Sequence, residues 1–289
     1  MTMPTTLRSP SPVRARQNRR VHARDCRQTR MGFTLIEMLV VVGIVVLIIG
    51  LVAVVLSPMR ESALRTKCLS NQRQISLACT AYATDNASRW VSPRTDKMSP
   101  EAGAQKITNP WVNAHPTEGT LTSQGVELKG SLEKGVLWTY MDQNYEAYRS
   151  PQDGSNRVRS YSLNAFVGVG AAGTKKADDL YVFGKKTIVM SAVKQPSRTL
   201  CTICEGWGDD YYNGEGWVIH PTLPQWIDLP AVWDGNRINI SLCDGSVESL
   251  QILWPKLVTN MYNYGNWYSE PSPSPSWSVM RQYLLPGDV

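Results

Sequence analysis

Hydrophobic and polar positions divide this chain into three unlike stretches. Residues 33–56 are apolar apart from Thr34 and Glu37, and no residue from Leu39 to Leu56 is charged. As an α-helix these 24 residues reach about 36 Å, enough to cross a hydrocarbon core of about 30 Å. Past Pro58 the pattern changes. Leu64, Cys68, Ile75, Cys79 and Tyr82 recur at intervals of 4, 7, 4 and 3 residues, which is one face of an α-helix. Arg60, Arg65, Lys67 and Arg73 fall on its wetter faces. Pro58 removes a backbone hydrogen bond, so a kink or partial melting is expected there. Asp85-Asn86 provide a stop, which predicts one helix of about 50 residues, half apolar and half amphipathic.

From residue 87 the chain turns to short β-rich runs between turn residues. Gly135–Tyr140, Thr187–Met190 and Thr199–Cys204 read as strands or buried segments, the last opened by the turn-like Pro196-Ser197. Tyr211–Trp217 contains Asn213-Gly214, suited to a type I′ hairpin. Arg237–Cys243 alternates, turns at Asp244-Gly245 and returns through Ser246–Leu250 as a second hairpin. Glu270–Ser276 alternates Pro and Ser and reads as an extended linker. The expected organisation is a basic leader at 1–32 and a transmembrane helix at 33–56. An amphipathic helix at 57–86, a globular head at 87–269 and a linker and tail at 270–289 follow.

Charge refines this picture. The chain carries 30 basic and 24 acidic residues, net +6. Residues 1–32 contribute eight arginines and one acid, Asp25, so the remainder holds 22 basic against 23 acidic residues. Basicity usually points to nucleic acid; here it belongs to the leader, and no nucleic-acid partner is expected. Arginines on the N-terminal side of the span place that end in the cytoplasm and the head outside. An ordinary secretory signal has an apolar core of about 7–15 residues followed by a small-x-small site. This run is longer, and Ser57-Pro58-Met59 offers no such site.

A carboxylate inside a membrane span costs about 2.5–3.5 kcal/mol on insertion scales and is normally kept for function. Glu37, at the head of the run and four residues after the Gly32-Phe33 junction, is such a residue. Gly32-Phe33-Thr34-Leu35-Ile36-Glu37 resembles the type IV prepilin signal. That resemblance implies cleavage after Gly32 by a prepilin peptidase, methylation of the new Phe33 amine and a role for Glu37 in assembly with other pilin-like subunits. The leader of 32 residues is long for the class.

Four head segments resemble those of pilin-like proteins abundant in planctomycetes and verrucomicrobia. Tyr148–Asp153 is similar to that group's Cys-Pro-Ser-Asp segment, with Ser150 in place of the cysteine. Ser160–Asn164 is similar to its Ser-Tyr-x-x-Asn segment and Gln195–Thr199 to its Pro-Ser-Arg-Thr turn. Asp234–Gly245 is similar to its closing His-x9-Asp-Gly motif, with Asp234 for the histidine. The fold class expected is α+β and pilin-like, the long N-terminal helix packing on a mainly antiparallel sheet.

Candidate chemistry in the head is thin. Cys26 lies in the leader, which leaves five cysteines. Cys68 and Cys79 are 11 residues apart, about 16 Å along a helix, whereas a disulfide needs Cα atoms within about 7 Å. Cys201-x-x-Cys204 has the form of a redox or zinc half-site, but in a regular strand its thiols face opposite ways. Only His115 and His220 remain to complete a metal site, so structural disulfides or buried thiols are expected. Asp209, Asp210, Asn213 and Glu215 offer oxygen ligands without EF-hand spacing; a solvated turn is expected, with calcium the alternative. The ten tryptophans follow residue 87, and a surface cluster of them would suit a glycan or protein partner. Trp138 and Trp254, in apolar runs, are expected in the core.

These readings converge on a pseudopilin-like structural subunit, not an enzyme, of a type II secretion or type IV pilus-like system. It is expected to be a single-pass inner-membrane protein with a periplasmic or filament-borne head and no cofactor. The alternative is a membrane-anchored binding module with a tryptophan-rich head.

Overall fold

The computed structural model describes residues 32–93, 95, 109–113, 129–168, 189–206, 216–233, 235–253, 256 and 268–284. The chain separates into two compact units, residues 1–54 and 55–289. Helix α1 (Leu35–Asp85) is 51 residues long and runs through Pro58 without a break. A proline costs one hydrogen bond at that point, and the helix tolerates it. Its first unit contains Leu35–Val52, an 18-residue stretch apolar and long enough to cross a membrane, none of it buried.

In the second unit α1 ends as its sequence predicts. Ser88 N–H bonds to Ala83 O at 2.8 Å, the Asn86 side chain caps Tyr82 O at 2.8 Å, and Ala87 and Ser88 take positive φ. A four-stranded antiparallel sheet has the order β1-β2-β4-β5, made of β1 (Tyr161–Leu163), β2 (Leu200–Cys204), β4 (Arg237–Leu242) and β5 (Val247–Gln251). Strands β3 (Gln225–Trp226) and β6 (Tyr268–Ser269) form a separate antiparallel pair. The described residues also include two short α-helices, α2 (Lys129–Glu133) and α3 (Pro275–Leu284).

The core has two parts. One gathers Cys68, Ile75, Ala78, Cys79 and Ala83 of α1 with Tyr161, Cys201, Cys204 and Cys243. The other joins Leu200, Ile203, Ile238, Ile240 and Leu242 to Trp277, Met280 and Leu284 of α3. Alternating strand side chains feed these two clusters, so the sheet is covered on both faces. The α1 stripe is as predicted in Cys68, Ile75 and Cys79, all fully buried, but it is wider: Asn71, Gln72 and Ser76 are buried with them.

The β4–β5 hairpin has the expected register, from Arg237↔Gln251 to Ser241↔Val247. Gly245 closes its turn with φ +87°, and a Cβ there would lie 3.0 Å from Leu77 of α1. One expectation narrows to the second of its two alternatives, and one changes. Gly135–Tyr140 is not a strand: it is a turn leading into a 3₁₀ helix at Thr139–Met141, with Leu137 buried. Gly135 passes so close to Trp111 O that a Cβ would stand 2.1 Å from it, and this crossing takes the place of ladder pairing. Nor is Glu270–Ser276 an extended linker. Glu270, Ser274 and Ser276 are buried, and Pro275 opens α3. Of the other predicted runs, Pro196–Arg198 is a 3₁₀ turn before β2. Thr187-Ile188, Tyr211–Glu215 and the leader through Met31 lie outside the described residues.

Candidate functional site

The helix start at the predicted signal is built by Thr34 and Glu37. Thr34 occupies the position before α1, and its backbone N–H and Oγ1 both donate to Glu37 Oε2, each at 2.8 Å. Glu37 N–H returns a bond to Thr34 Oγ1 at 3.3 Å. This is a capping box: hydroxyl and carboxylate each satisfy the other residue's otherwise unpaired N–H. The carboxylate also sits at the positive end of the helix dipole. The Thr34-x-x-Glu37 spacing is the sequence signal for this cap; Glu37 was expected only as a charge in the span and as a residue of assembly. Gly32 has nothing within 4 Å of an added Cβ, and Phe33 is 73% exposed. The cap is followed by the wholly uncovered apolar surface of Leu35–Val52.

Three of the four head motifs supply hydrogen bonds that tie elements together. Asp153 Oδ2 accepts from Arg157 at 3.0 Å and from Ser160 Oγ at 2.6 Å, so the first two segments meet through one carboxylate. Hydrogen bonds from Ser155 and Ser160 and the Arg157 charge together outweigh burial and hold Asp153 below the usual carboxylate range. Asn164 Nδ2 donates to Leu200 O at 3.0 Å and to Leu284 O at 2.8 Å, tying β1 and β2 to the end of α3. Asp244 Oδ1 accepts from Ser246 N–H at 2.9 Å within the β4–β5 turn. Asp234 lies outside the described residues.

A layer of thiols lies between α1 and the sheet. Cys68, Cys79, Cys201, Cys204 and Cys243 are all buried. Cys68 Sγ is 3.3 Å from Cys204 Sγ. Gln72 Nε2 reaches both sulfurs, at 3.6 and 3.4 Å, and Tyr161 Oη lies 3.7 Å from Cys68 Sγ. Cys201 instead shares hydrogen bonds with Cys79 and Cys243. The Cys204 hydrogen bond, helped by Ser150, Tyr161 and Gln72 and opposed by burial, pulls the Cys68 thiol down to about 6. Burial and the Cys68 contact push Cys204 up, and burial pushes Cys79 up.

This arrangement corrects the expectation that Cys201 and Cys204 face opposite ways. The β2–β4 pairing steps from Leu200↔Leu242 to Thr202↔Ser241, so Cys201 is an extra residue, a bulge. A bulge resets the two-residue alternation. Cys201 and Cys204 therefore both join the α1 side, while Leu200 and Ile203 join the other cluster. Ser150, at the position where the resembled group has cysteine, is one of the groups bonded to Cys68.

No group of three or more His, Cys, Asp or Glu side chains suited to a metal occurs among the described residues. His220 Nδ1 accepts from Thr222 N–H at 3.2 Å and Leu223 N–H at 2.9 Å. Burial holds its pKa below the ordinary histidine value, so the ring is a turn-forming acceptor. His115 and the oxygen-rich Asp209, Asp210, Asn213 and Glu215 lie outside the described residues. Trp90, Trp111, Trp217, Trp226 and Trp277 are buried, and Trp138 and Trp233 pack partly buried against the first core cluster; Trp254 is outside the described residues. Comparison with protein-family models, with curated proteins and with solved structures finds no match for this chain.

Proposed function

We propose that this chain is a pseudopilin-like structural subunit of a type II secretion or type IV pilus-like system. On this reading it is cleaved after Gly32, methylated at Phe33 and assembled through its N-terminal helix. The observation that carries the proposal is the capped carboxylate of Glu37 at the head of an apolar helix with no protein cover. Such a surface requires lipid or the same surface of other subunits. The resemblance at Gly32-Phe33 supplies the processing step.

In this mechanism the arginine leader holds the precursor in the inner membrane with the head outside. Peptidase cleavage after Gly32 frees the Phe33 amine, four residues from Glu37. In a bundle of apolar helices, an amine on one subunit and the carboxylate of its neighbour offset each other's burial and fix axial register. Thr34 holds that carboxylate at the helix end. The head is then the part carried into the periplasm or a filament.

Mass spectrometry of the mature N-terminus tests the proposal. A chain beginning at methylated Phe33 is the expected result; retention of residues 1–32 overturns it.

A further inference from the structure

Two residues 136 positions apart, Cys68 on α1 and Cys204 on β2, bring their sulfurs to 3.3 Å in the thiol layer. That is inside ordinary contact for two sulfur atoms and leaves a small movement to bonding distance. Neither thiol has a competing cysteine partner among the described residues. Cys201, by contrast, is shared between Cys79 and Cys243. Gln72 and Tyr161 flank the pair, and both sulfurs are closed off from solvent, with Cys68 at 0% and Cys204 at 1% exposure.

We propose that Cys68 and Cys204 are joined by a disulfide in the mature protein, which clamps α1 covalently to the sheet. This rests on the reading that the head lies outside the cytoplasm, where disulfides persist. The oxidant is a protein disulfide of the thiol–disulfide exchange class. The Cys68 thiolate attacks it before α1 docks on the sheet, giving a mixed disulfide and one donor thiolate. Docking brings in Cys204, whose sulfur gives up its proton and displaces the second donor sulfur. The donor's own S–S bond breaks in the first step, and the mixed disulfide between Cys68 and the donor breaks as the Cys68–Cys204 bond forms. Two electrons pass to the donor, which leaves as a dithiol. The odd count of five leaves at least one thiol among Cys79, Cys201 and Cys243.

The test uses full-length protein from membranes, acid-quenched, alkylated in denaturant and peptide-mapped without reduction. The expected species is a Cys68 peptide joined to a Cys204 peptide, lighter by two hydrogens than the separate thiol peptides together. Alkylated Cys68 in a chain that begins at methylated Phe33 overturns the disulfide and leaves the subunit reading standing. If residues 1–32 are retained, the subunit reading fails and a second measurement decides. Reduced, unfolded full-length chain is refolded in detergent with a glutathione redox buffer. Linkage of Cys68 to Cys204 supports the pairing wherever the protein resides; Cys68 left free or joined to another cysteine overturns it.

Discussion

Gln72 on α1 accepts a hydrogen bond from Thr202 Oγ1 on β2 at 2.9 Å, with both residues wholly buried. Thr202 Oγ1 also lies 2.6 Å from Ser241 Oγ on β4, so one polar chain runs from the helix across two strands. Its partners are satisfied only while α1 keeps its place. Gln72→Ala leaves Thr202 and the two flanking sulfurs short of a partner, at a cost of about 1–3 kcal/mol. Urea denaturation of the full chain in detergent should show a lower midpoint with the slope unchanged; an unaltered midpoint would mean the amide is dispensable.

Glu270 caps a helix that the sequence conceals. Its Oε1 accepts from Ser276 N–H at 3.0 Å and its Oε2 from Trp277 N–H at 2.8 Å, while Trp226 Nε1 donates to Oε2 at 2.9 Å. Ser274, at the usual capping position, spends its hydroxyl on Glu270 O at 2.8 Å. Glu270→Ala removes three bonds from a buried site and is expected to destabilise the head by about 2 kcal/mol. Hydrogen exchange should rise first in Pro275–Leu284; uniform exchange across the head would count against a local cap.

What the sequence revealed and what it hid divide along physical lines. The α1 stripe and the β4–β5 hairpin were legible because periodicity and Asp244-Gly245 are local signals. The polar half of the α1 face was not, since Asn71, Gln72 and Ser76 find their hydrogen-bond partners only in the folded head. Glu270–Ser276 misled because a Pro-Ser run signals extension, whereas the segment's own Glu270 carboxylate folds onto the Ser276 and Trp277 N–H groups and is held there by the distant Trp226 ring. The Cys201 bulge was equally hidden, because one inserted residue changes facing without changing composition. At the N-terminus the Gly32, Phe33 and Glu37 positions stood out, but the cap that Thr34 makes with Glu37 did not.

Titration of the reduced protein gives a third expectation. Cys68 moves from an ordinary value of 9.0 to about 6 in the fold. Between those values the native state lacks a proton that the unfolded chain binds, so stability rises with pH, by at most about 1.4 kcal/mol per unit. It is lost as pH falls through about 6. Above 9.0 the raised Cys204 value reverses the sign, because the native state then keeps a proton the unfolded chain releases. Urea midpoints across this range in excess reductant should rise and then fall. Cys204→Ala removes the main hydrogen bond to Cys68 and should flatten the rise; a rise of equal slope in that variant would assign it to another group.

Thr34 separates the structural task of Glu37 from the assembly task proposed for it. Glu37→Ala abolishes both, so the subunit should be processed after Gly32 yet fail to enter filaments. Thr34→Ala removes only the hydroxyl that donates to Glu37 Oε2 at 2.8 Å and accepts from Glu37 N–H. The carboxylate stays, and the helix start loses about 1 kcal/mol. Thr34→Ala should therefore assemble at reduced but measurable yield, and Thr34→Ser, which retains the hydroxyl, at the wild-type yield. Cross-linking and pelleting of processed subunits read all three. If Thr34→Ala is as inactive as Glu37→Ala, the cap itself is what assembly requires; if Glu37→Ala assembles normally, the carboxylate has no part in packing subunits together.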